Sequence, residues 1–202
     1  MVNNLLNIDD HYLRWPKDSW GGTDLNNPDM VNPWIEMQKI INPKKVIEIG
    51  MFAGHASLLM MTVFKNLESL VSYDPSDVSQ QNAKQIKKFW SQHTFYKQPI
   101  WGNEDRHSDI DLIFVDGMHD GDAPYKDFDS CMKIKPRYIL ADNLEKPDVR
   151  VSTKLKHGLW DVKYDPIYYF YTNTKYSSVK KCVMKSPGIM CLFKMEGNYD
   201  SI

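Results

Sequence analysis

Four short stretches combine acids with glycine or amide residues in a way that suits chemistry. They are Glu48-Ile49-Gly50 running on to Gly54, Asp74, Asp116-Gly117-Met118-His119, and Asp142-Asn143. Gly50 and Gly54, in VIEIGMFAGHAS, let a backbone approach a ligand closely and leave N–H groups at a helix start. A dinucleotide site would carry G-x-G-x-x-G to seat a pyrophosphate on that helix end. Phe52 stands where one of those glycines belongs, so the loop suits a carboxylate or a ribose better than two phosphates. The competing reading is a tight strand–turn–helix link with no ligand. Asp74 follows Gly50 by about the interval at which an acid accepts hydrogen bonds from a ribose diol. Within DPSD it is equally suited to a turn or a helix N-cap.

Each stretch closes a segment that reads as a strand: KVIEIG, SLVSYD, IDLIFVDG and RYILADN. A weaker strand, TFYKQPIW, is interrupted by Pro99 and belongs at a sheet edge. Between them lie helices: a short one over about 33–41, the apolar HASLLMMTVFKNL, the amphipathic VSQQNAKQIKKFWSQH, and YKDFDSCMKI. Near-continuous apolar strands alternating with helices predict a parallel sheet covered on both faces. Ligands of such a sheet sit beyond the carboxyl ends of the strands, where all four polar stretches fall. After Asn143 the alternation stops. RVSTKLKHGLW reads as helix, and WDVKYDPIYYFYT with GIMCLFKME as an antiparallel pair. The expected fold is α/β: a Rossmann-like doubly wound sheet of five parallel strands plus a C-terminal antiparallel hairpin, with helices on both faces. Residues 1–32, rich in turn signals, read as an irregular lead-in or lid, and 33–202 as a single domain.

Composition narrows the function. With 202 residues, 42% hydrophobic and 25% charged, the chain is that of an ordinary soluble domain. Its net charge of -1 offers no basic face for nucleic acid or anionic lipid. Three cysteines without a C-x-x-C pair fit a reducing compartment. The N-terminal stretch lacks the pattern of a signal peptide, and no apolar run is long enough to span a bilayer. A cytoplasmic location is expected, with no membrane partner.

VIEIGMFAGHAS, LVSYD, DLIFVDGMHD and YILADN together resemble the class I S-adenosylmethionine-dependent methyltransferases, over roughly residues 33–145. Within that superfamily, the acid after strand four and the Asp-Asn pair after strand five look like the divalent-metal-dependent O-methyltransferases. These include the caffeoyl-CoA and catechol type and the macrocin-type sugar enzymes; FVDGMHDGDAPYKDF is similar to the sugar and small-molecule branch. The resemblance implies a methyltransferase domain over 33–202, with S-adenosylmethionine and a divalent cation as cofactors. It implies metal ligands at Asp116, Asp142 and Asn143, and His119 as candidate base beside the catalytic Asp116. Two converging carboxylates would repel, and a cation removes that penalty; an all-oxygen set suits Mg²⁺ or Mn²⁺. The plainer alternatives are a helix cap at Asp142-Asn143, an Asx turn at Asp116 and a solvated loop histidine. Asp120 and Asp122 are fallback bases.

On the cofactor side, Gly50, Met51 and Gly54 would line the methionine and ribose, and Asp74 would grip the diol. Glu48 would orient the cofactor's amino group or the loop itself. Asn103 or Trp101 would lie against the adenine, and Asp116 also borders this site. Tyrosines in KYDPIYYFYTNTKYSS, among them Tyr164, Tyr168, Tyr169, Tyr171 and Tyr176, either stack on an acceptor or form the core of the hairpin. Lys175, Lys180 and Lys181 either meet an anionic acceptor or are solvated.

The expected reaction is methyl transfer to a hydroxyl of a small molecule, a sugar or a phenol. Rival readings are a metal-dependent hydroxylase-like or other nucleotide-cofactor enzyme, and a catalytically inactive cofactor-binding protein. The tryptophan-rich lead-in reads as a lid or as a homodimer contact.

Overall fold

The computed structural model describes residues 28–118, 122–142, 179–184 and 190–195. The chain divides into two compact units, Met1–Pro99 and Ile100–Ile202.

The first unit runs α1 (Pro28–Ile41), β1 (Lys45–Ile49), α2 (His55–Val63), β2 (Ser69–Tyr73), α3 (Asp77–Phe89) and β3 (His93–Tyr96). Its strands lie in the order β3-β2-β1. They are parallel, with Ile47 opposite Val71 and Val71 opposite Thr94. Val46 through Ile49 are all buried, so both faces of β1 are covered, as a strand of consecutive apolar residues requires. In α2, Leu58, Leu59 and Met60 are buried on successive positions, so this helix has little free face. Trp34 of α1 meets Phe64, at the end of α2, with ring centroids 6.1 Å apart. The amphipathic α3 turns Ala83 and Ile86 inward, and Ser76 caps it by accepting from the N–H groups of Val78 and Ser79. Lys87, in its last turn, donates to the carbonyls of Ser91 and His93, where a cation also complements the helix dipole.

The second unit runs through a 3-10 turn (Glu104–Arg106), β4 (Leu112–Val115), α4 (Ala123–Ile134), β5 (Tyr138–Ala141), β6 (Val179–Met184) and β7 (Met190–Met195). The strand order is β4-β5-β7-β6. β4 and β5 are parallel, while β7 pairs antiparallel with both β5 and β6. All four residues of β4 are buried. Phe128 and Cys131 carry the inner face of α4, where burial raises the Cys131 thiol well above its ordinary range and makes it a poor nucleophile.

Several boundaries differ from the sequence expectation. The first helix starts at Pro28, not near 33: Pro28 takes the first helical position, where a missing N–H costs nothing, and Pro33 lies inside. The irregular lead-in expected over 1–32 is thus helical from 28 on; its earlier part lies outside the described residues. β3 ends at Tyr96 rather than running through Pro99 to Trp101, since Pro99 has no N–H for a ladder. The strand paired with β7 is Val179–Met184, which holds Lys180 and Lys181 and which the sequence did not single out. The helix expected at RVSTKLKHGLW and the strand at WDVKYDPIYYFYT, with its tyrosines and Lys175, lie outside the described residues. Among the described residues no helix is long and apolar enough to cross a membrane.

Candidate functional site

In the first unit, the chain leaves β1 at Gly50 and turns into α2 through Gly54, both with φ +85°. A side chain at Gly54 would be strained by that φ and would also meet Ile86 Cδ1 at 2.9 Å and Met51 Cε at 3.0 Å. Phe52, at φ 43°, holds a left-handed conformation with a side chain and remains 39% exposed. The loop is held shut from one side by Asp74. Its Oδ2 accepts from the backbone N–H of Met51 at 3.0 Å and of Phe52 at 2.9 Å, and its Oδ1 from Ser76 N–H at 2.7 Å. Asp74 is therefore bound to the glycine loop, the place proposed for a ribose, while the N-cap role in DPSD falls to Ser76. Met51 is buried against this turn.

Glu48 is fully buried, and its Oε2 accepts from the hydroxyls of Ser57 at 2.6 Å and Ser72 at 2.5 Å. Ser57 is in the first turn of α2, and Ser72 lies opposite Glu48 in the β1–β2 register. These contacts tie Glu48 to the first turn of the helix that follows the loop. Ser72 Oγ also meets His93 Nε2 at 2.9 Å. Because the Ser72 hydroxyl proton points to Glu48, His93 donates from Nε2 in its neutral form. Burial, helped by the charge of Lys87, lowers the His93 pKa to about 4, which keeps the ring neutral near pH 7. Ser57, Ser72 and His93 were not picked out from sequence. The available signal was the pairing of a polar residue one position before the end of each of two apolar strands.

In the second unit, the β4–β5 register pairs Val115 with Ala141, and Asp142 N–H donates to Val115 O at 3.0 Å. Asp116 and Asp142 thus each follow the last paired residue of their strand, at the same end of the β4–β5 pair. Asn143, His119 and Asp120 lie outside the described residues. Among the described residues, no three His, Cys, Asp or Glu side chains cluster to hold a metal ion. Asp122 starts α4 and pairs with Lys126 at 2.8 Å; the hydrogen bond to Lys126 lowers its pKa, against the needs of a base. Met118, after β4, is 60% exposed.

Asn103 precedes the 3-10 turn, and its Nδ2 donates to Trp101 O at 3.3 Å. Trp101 is anchored on α4: its Nε1 donates to Asp127 Oδ1 at 2.7 Å, and Lys126 Nζ lies 4.9 Å from its ring centroid. One face of that indole is thus covered. Beside it, buried Glu104 accepts from Ser130 Oγ at 2.8 Å and Lys133 Nζ at 3.1 Å. Burial pushes the Glu104 pKa up, but the backbone, Ser130 and Lys133 outweigh it and bring it to about 2. Sequence reasoning missed Glu104, since nothing in NEDRHSD sets it apart from a solvated acid.

Residues 47–137 match the family model described as a methyltransferase domain. No curated protein sequence matches the chain. Among solved structures, the chain is similar to a putative O-methyltransferase from Klebsiella pneumoniae, at 13% identity and TM-score 0.67, over 97% of this chain and 90% of that one. The O-methyltransferase from Bacillus cereus, solved in complex with SAH (S-adenosylhomocysteine), is similar at 14% identity and TM-score 0.64, over 96% and 90%. A putative caffeoyl-CoA O-methyltransferase from Staphylococcus aureus is similar at 16% identity and TM-score 0.60, over 81% and 82%. At these identities the likeness is one of fold. Residues 47–137 thus match a methyltransferase-domain model, and the chain shares its Rossmann-like fold with these solved O-methyltransferases.

Proposed function

We propose that the chain transfers a methyl group from S-adenosylmethionine to a hydroxyl of a small molecule, sugar or phenol-like, assisted by a divalent cation. The observation that carries this reading is the Asp74 carboxylate, fixed to the N–H groups of Met51 and Phe52 inside a segment that matches a methyltransferase domain. A carboxylate accepts hydrogen bonds only, so it recognises hydroxyls such as those of a ribose. Gly50, Met51 and Gly54 supply the close backbone for the rest of the cofactor, with Asn103 as the adenine-side amide. Glu48 positions the loop from beneath through Ser57.

Asp116 and Asp142, with Asn143, are the residues that would hold Mg²⁺ or Mn²⁺. Two neighbouring carboxylates fit such an ion, which proteins bind through one or two carboxylates plus water and substrate oxygens. When bound, the ion acidifies a coordinated hydroxyl. His119 would take the acceptor's proton, and S-adenosylmethionine, when bound, would supply the methyl group and depart as the neutral thioether. The net charge of -1 favours a small acceptor over nucleic acid, and three unpatterned cysteines favour a cytoplasmic setting.

The test is label transfer from methyl-labelled S-adenosylmethionine to panels of sugars, catechols and simple phenols, with Mg²⁺ and with EDTA. Transfer to one class that EDTA abolishes is the expected result. Transfer to none of these hydroxyls would reject the acceptor class, and transfer indifferent to EDTA would reject the metal.

A further inference from the structure

Behind the strand ends of the first unit, register puts three polar residues on one face of three adjacent strands. Glu48 lies opposite Ser72, and Ser72 stands two residues beyond Leu70, the partner of His93. They bond in series. His93 Nε2 meets Ser72 Oγ at 2.9 Å, and Ser72 Oγ donates to Glu48 Oε2 at 2.5 Å. Ser57 Oγ, in the first turn of α2, donates to the same oxygen at 2.6 Å. At the outer end, Lys87 of α3 donates to the His93 carbonyl. The chain of bonds thus runs from α3 across β3, β2 and β1 to the start of α2. Glu48, Ser57, Ser72 and His93 are each at most 1% exposed. Apolar side chains at 72 and 93 would fill the same space without the cost of burying polar groups. What the polar set adds is direction, because a hydrogen bond fixes distance and angle where apolar contact permits sliding. Its inner end falls on a helix start that lacks the usual device: Gly54, at the N-cap of α2, makes no side-chain cap, and the first turn holds no acid.

We propose that His93 and Ser72 are positioning residues for cofactor binding, acting through Glu48 and Ser57 to set the first turn of α2. The proposal rests on the cofactor reading above. His93 orients the Ser72 hydroxyl: an oxygen that accepts from Nε2–H turns its own proton to Glu48. Ser72 and Ser57 then hold one Glu48 oxygen from two sides, so a residue of the third strand governs the placement of the helix after the first.

Calorimetry with S-adenosylhomocysteine on the full chain, beside urea denaturation of each variant, tests this. Ser72→Ala should weaken binding about fivefold, the scale of one buried hydrogen bond. His93→Leu should weaken it by a similar factor, whereas His93→Gln, whose amide nitrogen can take the place of Nε2, should restore affinity to within about twofold of wild type. Ser57→Ala cuts the chain at α2, and in that background Ser72→Ala should change affinity by less than about twofold, because the link it feeds is gone. Residues that only support the fold would lower urea stability and leave the affinity of the folded chain as it was. Wild-type affinity in Ser72→Ala, equal affinities in His93→Leu and His93→Gln, or Ser72 and Ser57 losses that add, would each overturn the proposal, while binding by the wild type leaves the cofactor reading standing. If His93→Leu does not fold, the Ser72 and Ser57 variants decide. Failure of the folded wild type to bind rejects the cofactor reading and the proposal together.

Discussion

Glu48 in the first unit and Asp142 in the second are both acids at or near the ends of buried parallel strands, yet the chain uses them differently. Glu48 is fully buried, one residue before the end of β1, and takes two serine hydroxyls; Asp74 nearby takes three backbone N–H groups. The loop they serve is set by internal bonds. At β4 and β5, Asp116 and Asp142 instead each follow the last paired residue of their strand. An acid held by neutral donors orders its surroundings, whereas two acids at neighbouring strand ends are suited to share a divalent cation. In the proposed account the first region shapes the cofactor seat and the second does the chemistry.

That contrast predicts opposite responses to mutation. Asp142→Ala should lower methyl transfer by about 100-fold or more, as loss of a metal ligand does. In the proposed account it should leave urea stability unchanged or raised, because a carboxylate placed to bind a cation is gone. A large stability loss with intact turnover would reverse the roles of the two regions.

The next effect in size concerns pH. His93 has its pKa lowered to about 4 in the folded chain, against an ordinary 6.5. Between those values the unfolded chain binds the extra proton, so stability is fully present above about pH 6.5 and falls as pH drops toward 4. The loss is on the order of 3 kcal/mol. Denaturation at stepped pH should show this slope, and His93→Gln should flatten it. A slope equal in both proteins would remove His93 from the account. Glu104 acts lower on the scale: its pKa of about 2 gives stability present above pH 4.5 and lost as pH falls through 2.

Gly54→Ala should cost roughly 1–3 kcal/mol, combining backbone strain at φ +85° with the crowding of Ile86 and Met51. Thermal or urea denaturation measures it; a neutral result would mean the turn relaxes freely. Trp101→Phe is the smallest change, about 1 kcal/mol for one lost hydrogen bond to Asp127. It sharpens the comparison if cofactor affinity stays as it was, since Trp101 then only anchors α4.

Much of the fold was legible because apolar runs ending in acids mark parallel strands, and KVIEIG, SLVSYD, LIFV and YILA fall where expected. Pro28 and Val179–Met184 were not, because a proline fits either inside or before a helix and VKKCVM has no alternation to betray a strand. For the site, Asp74 and the glycines were visible as spacing, but Asp74's bonding to the loop was not: a side chain's partners depend on rotamer and backbone path. For Glu48 the bonds to Ser57 and Ser72 were not legible, since burial and hydroxyl partners are tertiary facts that one sequence does not state.

The most direct test of the account is a crystal structure of the full chain grown with S-adenosylhomocysteine and Mn²⁺, with anomalous data at the manganese edge. The account predicts a ribose hydroxyl on the Asp74 carboxylate and a manganese peak bonded to Asp116 and Asp142. A nucleoside bound away from Asp74, or a well-ordered Asp116–Asp142 pair with no manganese at saturating concentration, would contradict it.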